Sequence, residues 1–112
     1  MANKKIVKKK KTVKKTKVVF VRVYLTEGDK LLKAIMAYLH DEIHIRGVTV
    51  FRAISGFGKS GALHSTEILT MSLDLPVAIE FFDDAKKVKK AIAHLSAMLE
   101  TGHIVSWDAQ SL

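Results

Sequence analysis

The sequence predicts an α+β domain in which a four-stranded antiparallel sheet carries two helices on one face. Three observations predict it. Runs crowded with β-branched and aromatic residues recur at 18–26, 48–54, 76–82 and 103–107. Two stretches with apolar residues at helical spacing separate the first run from the second and the third from the fourth. The resulting order, βαββαβ, closes most simply with right-handed crossovers into that sheet.

The first strand is expected at 18–26, where Val, Phe, Tyr and Leu dominate. Residues 26–29 then supply turn chemistry, with Asp29 as a helix N-cap. Leu32, Ile35, Met36, Leu39 and Ile43 form a core-facing stripe on the first helix, which Arg46 and Gly47 are expected to close as a basic last turn and a C′ glycine. A second strand spans 48–54, and the Gly- and Ser-rich stretch 55–65 reads as an exposed loop. Residues 67–75 fit either a helical turn or an extended return. The third strand begins at Pro76, where a missing N–H is tolerated. Asp83 and Asp84 open a second helix with Val88, Ala91, Ile92, Leu95, Met98 and Leu99 inward and Lys86, Lys87, Lys89 and Lys90 in water. Gly102 ends it, and residues 103–107 alternate as a short fourth strand.

The chain has 112 residues, 48% hydrophobic, so it accommodates a single folded domain and one core. Having no cysteine, it has no disulfide, thiolate metal site or Cys nucleophile, in keeping with a cytoplasmic protein. No apolar run is long enough to span a bilayer, and no signal-peptide core follows the basic N-terminus. The net charge of +8 is mostly a tail effect: residues 1–17 hold nine lysines and no acid, +9, whereas residues 18–112 hold ten basic and eleven acidic residues, −1. Residues 1–17 therefore read as a disordered arm and 18–112 as the domain. The arm is either a solubilising tail or a contact for a polyanion such as lipid headgroups or nucleic acid. A near-neutral domain argues against nucleic-acid binding by the domain itself.

With helices on one face, strands as apolar as 20–25 and 77–82 leave a bare sheet face that needs a partner, so self-association is expected.

The segment from Gly47 through Phe51, Arg52 and Gly56-Phe57-Gly58, then His64 to Glu67, Ile68-Leu69 and Asp74-Leu75-Pro76 to Glu80, resembles the PII signalling superfamily. The similarity is nearest to its uncharacterised branch, domain-of-unknown-function family 190, and extends over most of residues 18–107. It implies a ferredoxin-like fold, a homotrimer with ligand clefts between subunits, and a flexible loop after the second strand. Relatives of this kind bind adenine nucleotides there and use the loop, residues 55–67 here, to engage a membrane transporter or an enzyme. The resemblance puts Gly56, Phe57, Gly58 and Lys59 at the cleft edge, with Ser60 and His64 as further ligand-contact candidates. The chemistry fits, because glycines let backbone N–H groups approach phosphate oxygens and Lys59 adds a positive charge. The phosphate-directed Gly-Asp-Gly-Lys turn and arginine pair of nitrogen-sensing PII proteins have no counterpart, since no Lys or Arg occurs from Glu100 to Leu112.

Other residues have plainer readings. Gly58-Lys59-Ser60 is only a fragment of a P-loop. His64 reads as a solvated loop histidine, and His40 and His44, four apart on a polar surface, as structural rather than metal-binding. Arg52 and Glu80 are charges within apolar strands, to be matched across the sheet or with another subunit, and secondary ligand candidates. Trp107 reads as core or interface. No nucleophile, base and carboxylate assemble into a catalytic set, so a non-enzymatic protein without a cofactor is expected.

Overall fold

Alternation along the first strand sets the architecture. Val21, Val23 and Leu25 are buried while Tyr24 and Thr26 face out, the period-two pattern of a sheet with one covered face. The computed structural model describes residues 13–26, 28, 30–57, 64–65, 75–100 and 102–112. In chain order it has β1 (Thr16–Thr26), α1 (Leu31–Ala37) running on into a π-helical segment (Tyr38–Glu42), and β2 (Gly47–Arg52). There follow the short β3 (Ser55–Gly56) and β4 (His64–Ser65), then β5 (Pro76–Asp83), α2 (Ala85–Ser96) and β6 (Ile104–Ser111). The main sheet has the order β2-β5-β1-β6 with every neighbouring pair antiparallel. This is the α+β, ferredoxin-like arrangement expected from the sequence.

Val21, Val23, Ile79 and Phe81 of the sheet meet Ile35 and Leu39 of the first helical stretch and Val88, Ala91 and Leu95 of α2 in one core. Each Val, Leu, Ile and Phe side chain among them contributes about 1.5–3 kcal/mol when fully buried. Tyr38 and His94 clasp the two helices together, their rings stacked at 3.7 Å and nearly parallel. Burial, and then the nearby Glu42 carboxylate, raise the Tyr38 hydroxyl above its ordinary pKa.

Several boundaries differ from those read in the sequence. The expected N-cap Asp29 lies outside the described residues, and the residue before α1, Lys30, makes no side-chain cap. The left-handed residue after the helix is His44, with φ 54°, not Gly47. Gly47 is instead the first residue of β2, where a Cβ would come within 2.9 Å of the Phe82 ring. The glycine is needed for close approach rather than for turning the chain. β2 ends at Arg52, two residues early: Ala53, next in register, still donates its N–H to the Pro76 carbonyl at 2.8 Å, but Pro76 has no N–H with which to return the bond. β1 and β6 are both longer than expected: Thr16 pairs with Ser111 and Lys17 with Gln110, so the last residues of the presumed arm belong to the sheet. Since β5 reaches only Val19, the β1–β6 pair continues past it as a two-stranded ribbon.

α2 starts as expected. Asp84 is its N-cap, accepting the Lys87 N–H at 2.9 Å. Asp83, read as part of an acidic helix start, is instead a buried carboxylate. It accepts the backbone N–H groups of Arg46 and Asp84, each at 2.8 Å, and lies 3.6 Å from the Arg46 guanidinium and 3.7 Å from the Lys87 ammonium. One carboxylate thereby ties the start of β2 to the start of α2. Burial alone pushes its pKa up; the two N–H donors and two cations outweigh that and hold it below the usual value.

Candidate functional site

The stretch expected to be an open loop is closed at its base. β3 and β4 pair antiparallel, Ser55 with Ser65 and Gly56 with His64, as a small hairpin around residues 57–63. Two predicted site residues, Gly56 and His64, are therefore brought directly opposite each other. Gly56 sits against the first residue of β5, where a Cβ would come within 3.2 Å of the Pro76 ring. Phe57 follows with 74% of its surface exposed, beside an equally exposed Ile54. Gly58, Lys59 and Ser60 lie outside the described residues.

β6 begins at the same end of the sheet. Gly102 takes φ 94°, and His103 is locked to β1 in both directions: its carbonyl accepts the Tyr24 N–H at 2.9 Å, and its Nδ1 donates to the Tyr24 carbonyl at 3.0 Å. The bond fixes the ring's tautomer and leaves Nε2 available. Nothing in the sequence singled out His103, because its position depends on a cross-strand pairing between residues far apart in the chain.

The sheet face away from the helices is the second feature. Phe82, Phe20 and Trp107 stack across three strands, with centroid separations of 5.0 and 5.5 Å. Arg46 lies over Phe82 at one end and Arg22 over Trp107 at the other, at 5.6 and 5.4 Å. One register step on, Arg22 donates from Nε to Glu80 at 2.8 Å and forms an ion pair with it through its terminal nitrogen. The Tyr24 hydroxyl, first, and the Glu80 carboxylate further favour the charged guanidinium. Tyr24, Phe51, Val105 and Trp107 remain exposed on this face.

Glu80 thus finds its partner in Arg22, opposite it in register, and not in Arg52. Arg52 is opposite Val77, which is buried and in phase with Ile79 and Phe81 of the covered face, so Arg52 and Glu80 belong to opposite faces. Trp107 is on the open face with 40% of its surface exposed, rather than in the core. His40 turns its Nδ1 to Asp41 at 2.6 Å, and the π-helical segment with the break at His44 removes the regular i, i+4 relation between His40 and His44. Among the described residues there is no group of three or more His, Asp or Glu able to hold a metal, and no helix long and apolar enough to cross a membrane.

With this geometry in view, the comparisons with known proteins agree. The profile of the DUF190 family, described as "Uncharacterized ACR", matches residues 18–111. A UPF0166 protein of Aquifex aeolicus is 39% identical over 72 residues, 64% of this chain and 73% of that protein. A UPF0166 protein of Methanocaldococcus jannaschii is 31% identical over 90 residues, covering 76% and 82%. Among solved structures, CPII of Thiomonas intermedia K12, a nitrogen regulatory PII-like protein bound to ADP, AMP and bicarbonate, superposes with a TM-score of 0.72 at 17% identity, over 89% of this chain and 92% of CPII. The divalent ion tolerance protein CutA1 of Ehrlichia chaffeensis has the same fold at a TM-score of 0.55 and 13% identity, over 84% and 80%. The chain belongs to the DUF190 family, and its fold is the one seen in the PII-like protein CPII.

Proposed function

We propose that this protein is a cytoplasmic PII-like regulator, not an enzyme, which self-associates as a trimer through its open sheet face and binds a small anionic effector, an adenine nucleotide, between subunits. The observation that carries the reading is the juxtaposition at one end of the sheet. A hairpin base pairs Gly56 with His64, exposes the Phe57 ring and leads directly into Gly58, Lys59 and Ser60. The arrangement suits a nucleotide: an aromatic face for the base, and glycine N–H groups with a lysine for phosphate. The fold shared with CPII, which holds ADP and AMP, supports the same ligand class. The aromatic row and the remaining exposed apolar side chains supply the surface a second and third copy would cover. Residues 55–67 would then carry the signal to a partner protein.

A thermal-shift series with ADP, AMP and bicarbonate tests this. A nucleotide at 100 times its Kd adds about 2.7 kcal/mol of stability, a displacement of many degrees for a domain of this size. Lys59→Gln should reduce the shift without altering the ligand-free melting temperature. If no adenine nucleotide moves the transition, a second reading takes precedence: an adaptor or scaffold that binds no ligand and is tethered to membrane lipid or nucleic acid by the basic residues 1–17.

A further inference from the structure

Far from the hairpin, the other end of the sheet collects positive charge that composition assigned only to the tail. Lys14, Lys15 and Lys17 lead into and begin β1. β5 arrives at that end with Asp83 opposite Val19, and α2 begins two residues later. With a strand spacing of about 4.8 Å and a rise of about 3.3 Å per residue, Lys17 lies within roughly 15 Å of the first turn of α2. It is also on the helix-side face, in phase with Val19. Lys86, Lys89 and Lys90 occupy that first turn and the next on the exposed side of the helix.

These lysines sit where the local energetics disfavour them. No acid is present in the first turn of α2, so Lys86 opposes the helix dipole. Lys86 and Lys90 are a like-charge i, i+4 pair, and Lys86 and Lys89 an i, i+3 pair. Among the described residues none of Lys86, Lys89 and Lys90 has an ion-pair partner, whereas Lys87 is held by Asp83 and the His44 carbonyl. The acids nearby are largely engaged: Asp83 on Arg46 and Lys87, and Asp84 on the helix N-terminus. Asp108, opposite Val19, remains in water. At the tip of the β1–β6 ribbon, beside the lysines, Val13 and Leu112 are 58% and 80% exposed.

We infer that this basic end is a docking surface for an anionic lipid bilayer, remote from the proposed nucleotide site. Clustered lysines act as point charges that suit headgroup phosphates and carboxylates without demanding a fixed geometry. The exposed Val13 and Leu112 add short apolar contacts that a bilayer interface accepts and a nucleic-acid backbone does not. The surface includes part of the folded domain, so the helix lysines share the binding with the N-terminal ones.

Co-sedimentation of the full chain with phosphatidylcholine vesicles, with and without phosphatidylserine, tests the inference, with a duplex DNA titration alongside. Binding is expected only to the serine-containing vesicles, and to weaken steeply with salt. The triple variant Lys86→Glu, Lys89→Glu, Lys90→Glu should bind them at least about 100-fold more weakly, from the contribution of each lysine near an anionic surface. Its melting temperature should not fall, because the acid at position 86 suits the helix dipole. Val13→Ser with Leu112→Ser should weaken vesicle binding and leave any DNA binding unchanged. Wild-type affinity in the triple variant would overturn the role of α2. Absence of vesicle binding, or binding to DNA in preference to vesicles with no effect of the Val13 and Leu112 changes, would overturn the choice of lipid.

Discussion

Replacing Asp83 with alanine removes the acceptor on which β2 and α2 both rely. Its side chain is 5% exposed and takes two backbone N–H groups at 2.8 Å, with Arg46 and Lys87 cations at 3.6 and 3.7 Å. A hydrogen bond to a charged group is worth about 1.5–3 kcal/mol, and breaking a buried ion pair costs about 3–5 kcal/mol. Arg46 and Lys87 are 44% and 37% exposed and regain water when the carboxylate is lost, so the ion-pair part is heavily discounted. The expected loss is therefore about 2–4 kcal/mol, mostly from the two stranded N–H groups. Urea denaturation at fixed protomer concentration measures it as a lower midpoint with an unchanged slope. Asp83→Asn adds the sign of the pH dependence. The native carboxyl is held below its ordinary value of 3.8, so its stabilisation is complete above that value and is lost as pH falls through the lower native one. The stability gap between wild type and Asp83→Asn should stay constant from neutral pH down to about 4 and close only in stronger acid. A loss under about 1 kcal/mol in Asp83→Ala, or a gap that already narrows near neutral pH, would refute the reasoning.

Two backbone predictions complement it. His44→Gly relieves a left-handed residue while keeping the carbonyl that Lys87 uses, and should stabilise the protein by about 0.5–1 kcal/mol in the same urea assay. Gly47→Ala drives a methyl toward Phe82, part of the aromatic row, and should cost about 1–3 kcal/mol; near-ultraviolet circular dichroism should report a disturbed Phe82–Phe20 stack.

Element order and most of the core are legible in the sequence because both follow from local periodicity: the stripe Val88, Ala91, Leu95 and the alternation of β5 need no knowledge of distant partners. What escapes is set by pairing. Thr16 and Lys17 read as tail because lysine and threonine carry no apolar signal, yet β6 supplies them with a ladder. Gly47 reads as a helix stop because glycine usually serves there, whereas the stop falls on His44 and the glycine admits the Phe82 ring. Arg52 and Glu80 read alike as strand charges that need a partner across the sheet or in another subunit, and only register shows that Arg22 stands opposite Glu80 while Arg52 lies on the other face. At the candidate site the glycines and His64 stand out by composition, but the Gly56–His64 pairing and the tethered His103 depend on contacts between distant segments.

The central claim, a nucleotide site completed by neighbouring copies joined through the open sheet face, is tested most directly by calorimetric titration of ADP into wild type and into Trp107→Glu. The substitution places a carboxylate in the aromatic row, beside Phe20 and under Arg22, and should hold the protein as a folded monomer, as light scattering and circular dichroism would verify on the same samples. The account predicts saturable ADP binding by the wild-type trimer and none by the monomeric variant. A monomer that binds ADP as wild type does, or a wild-type protein that takes up no ADP at all, would contradict it.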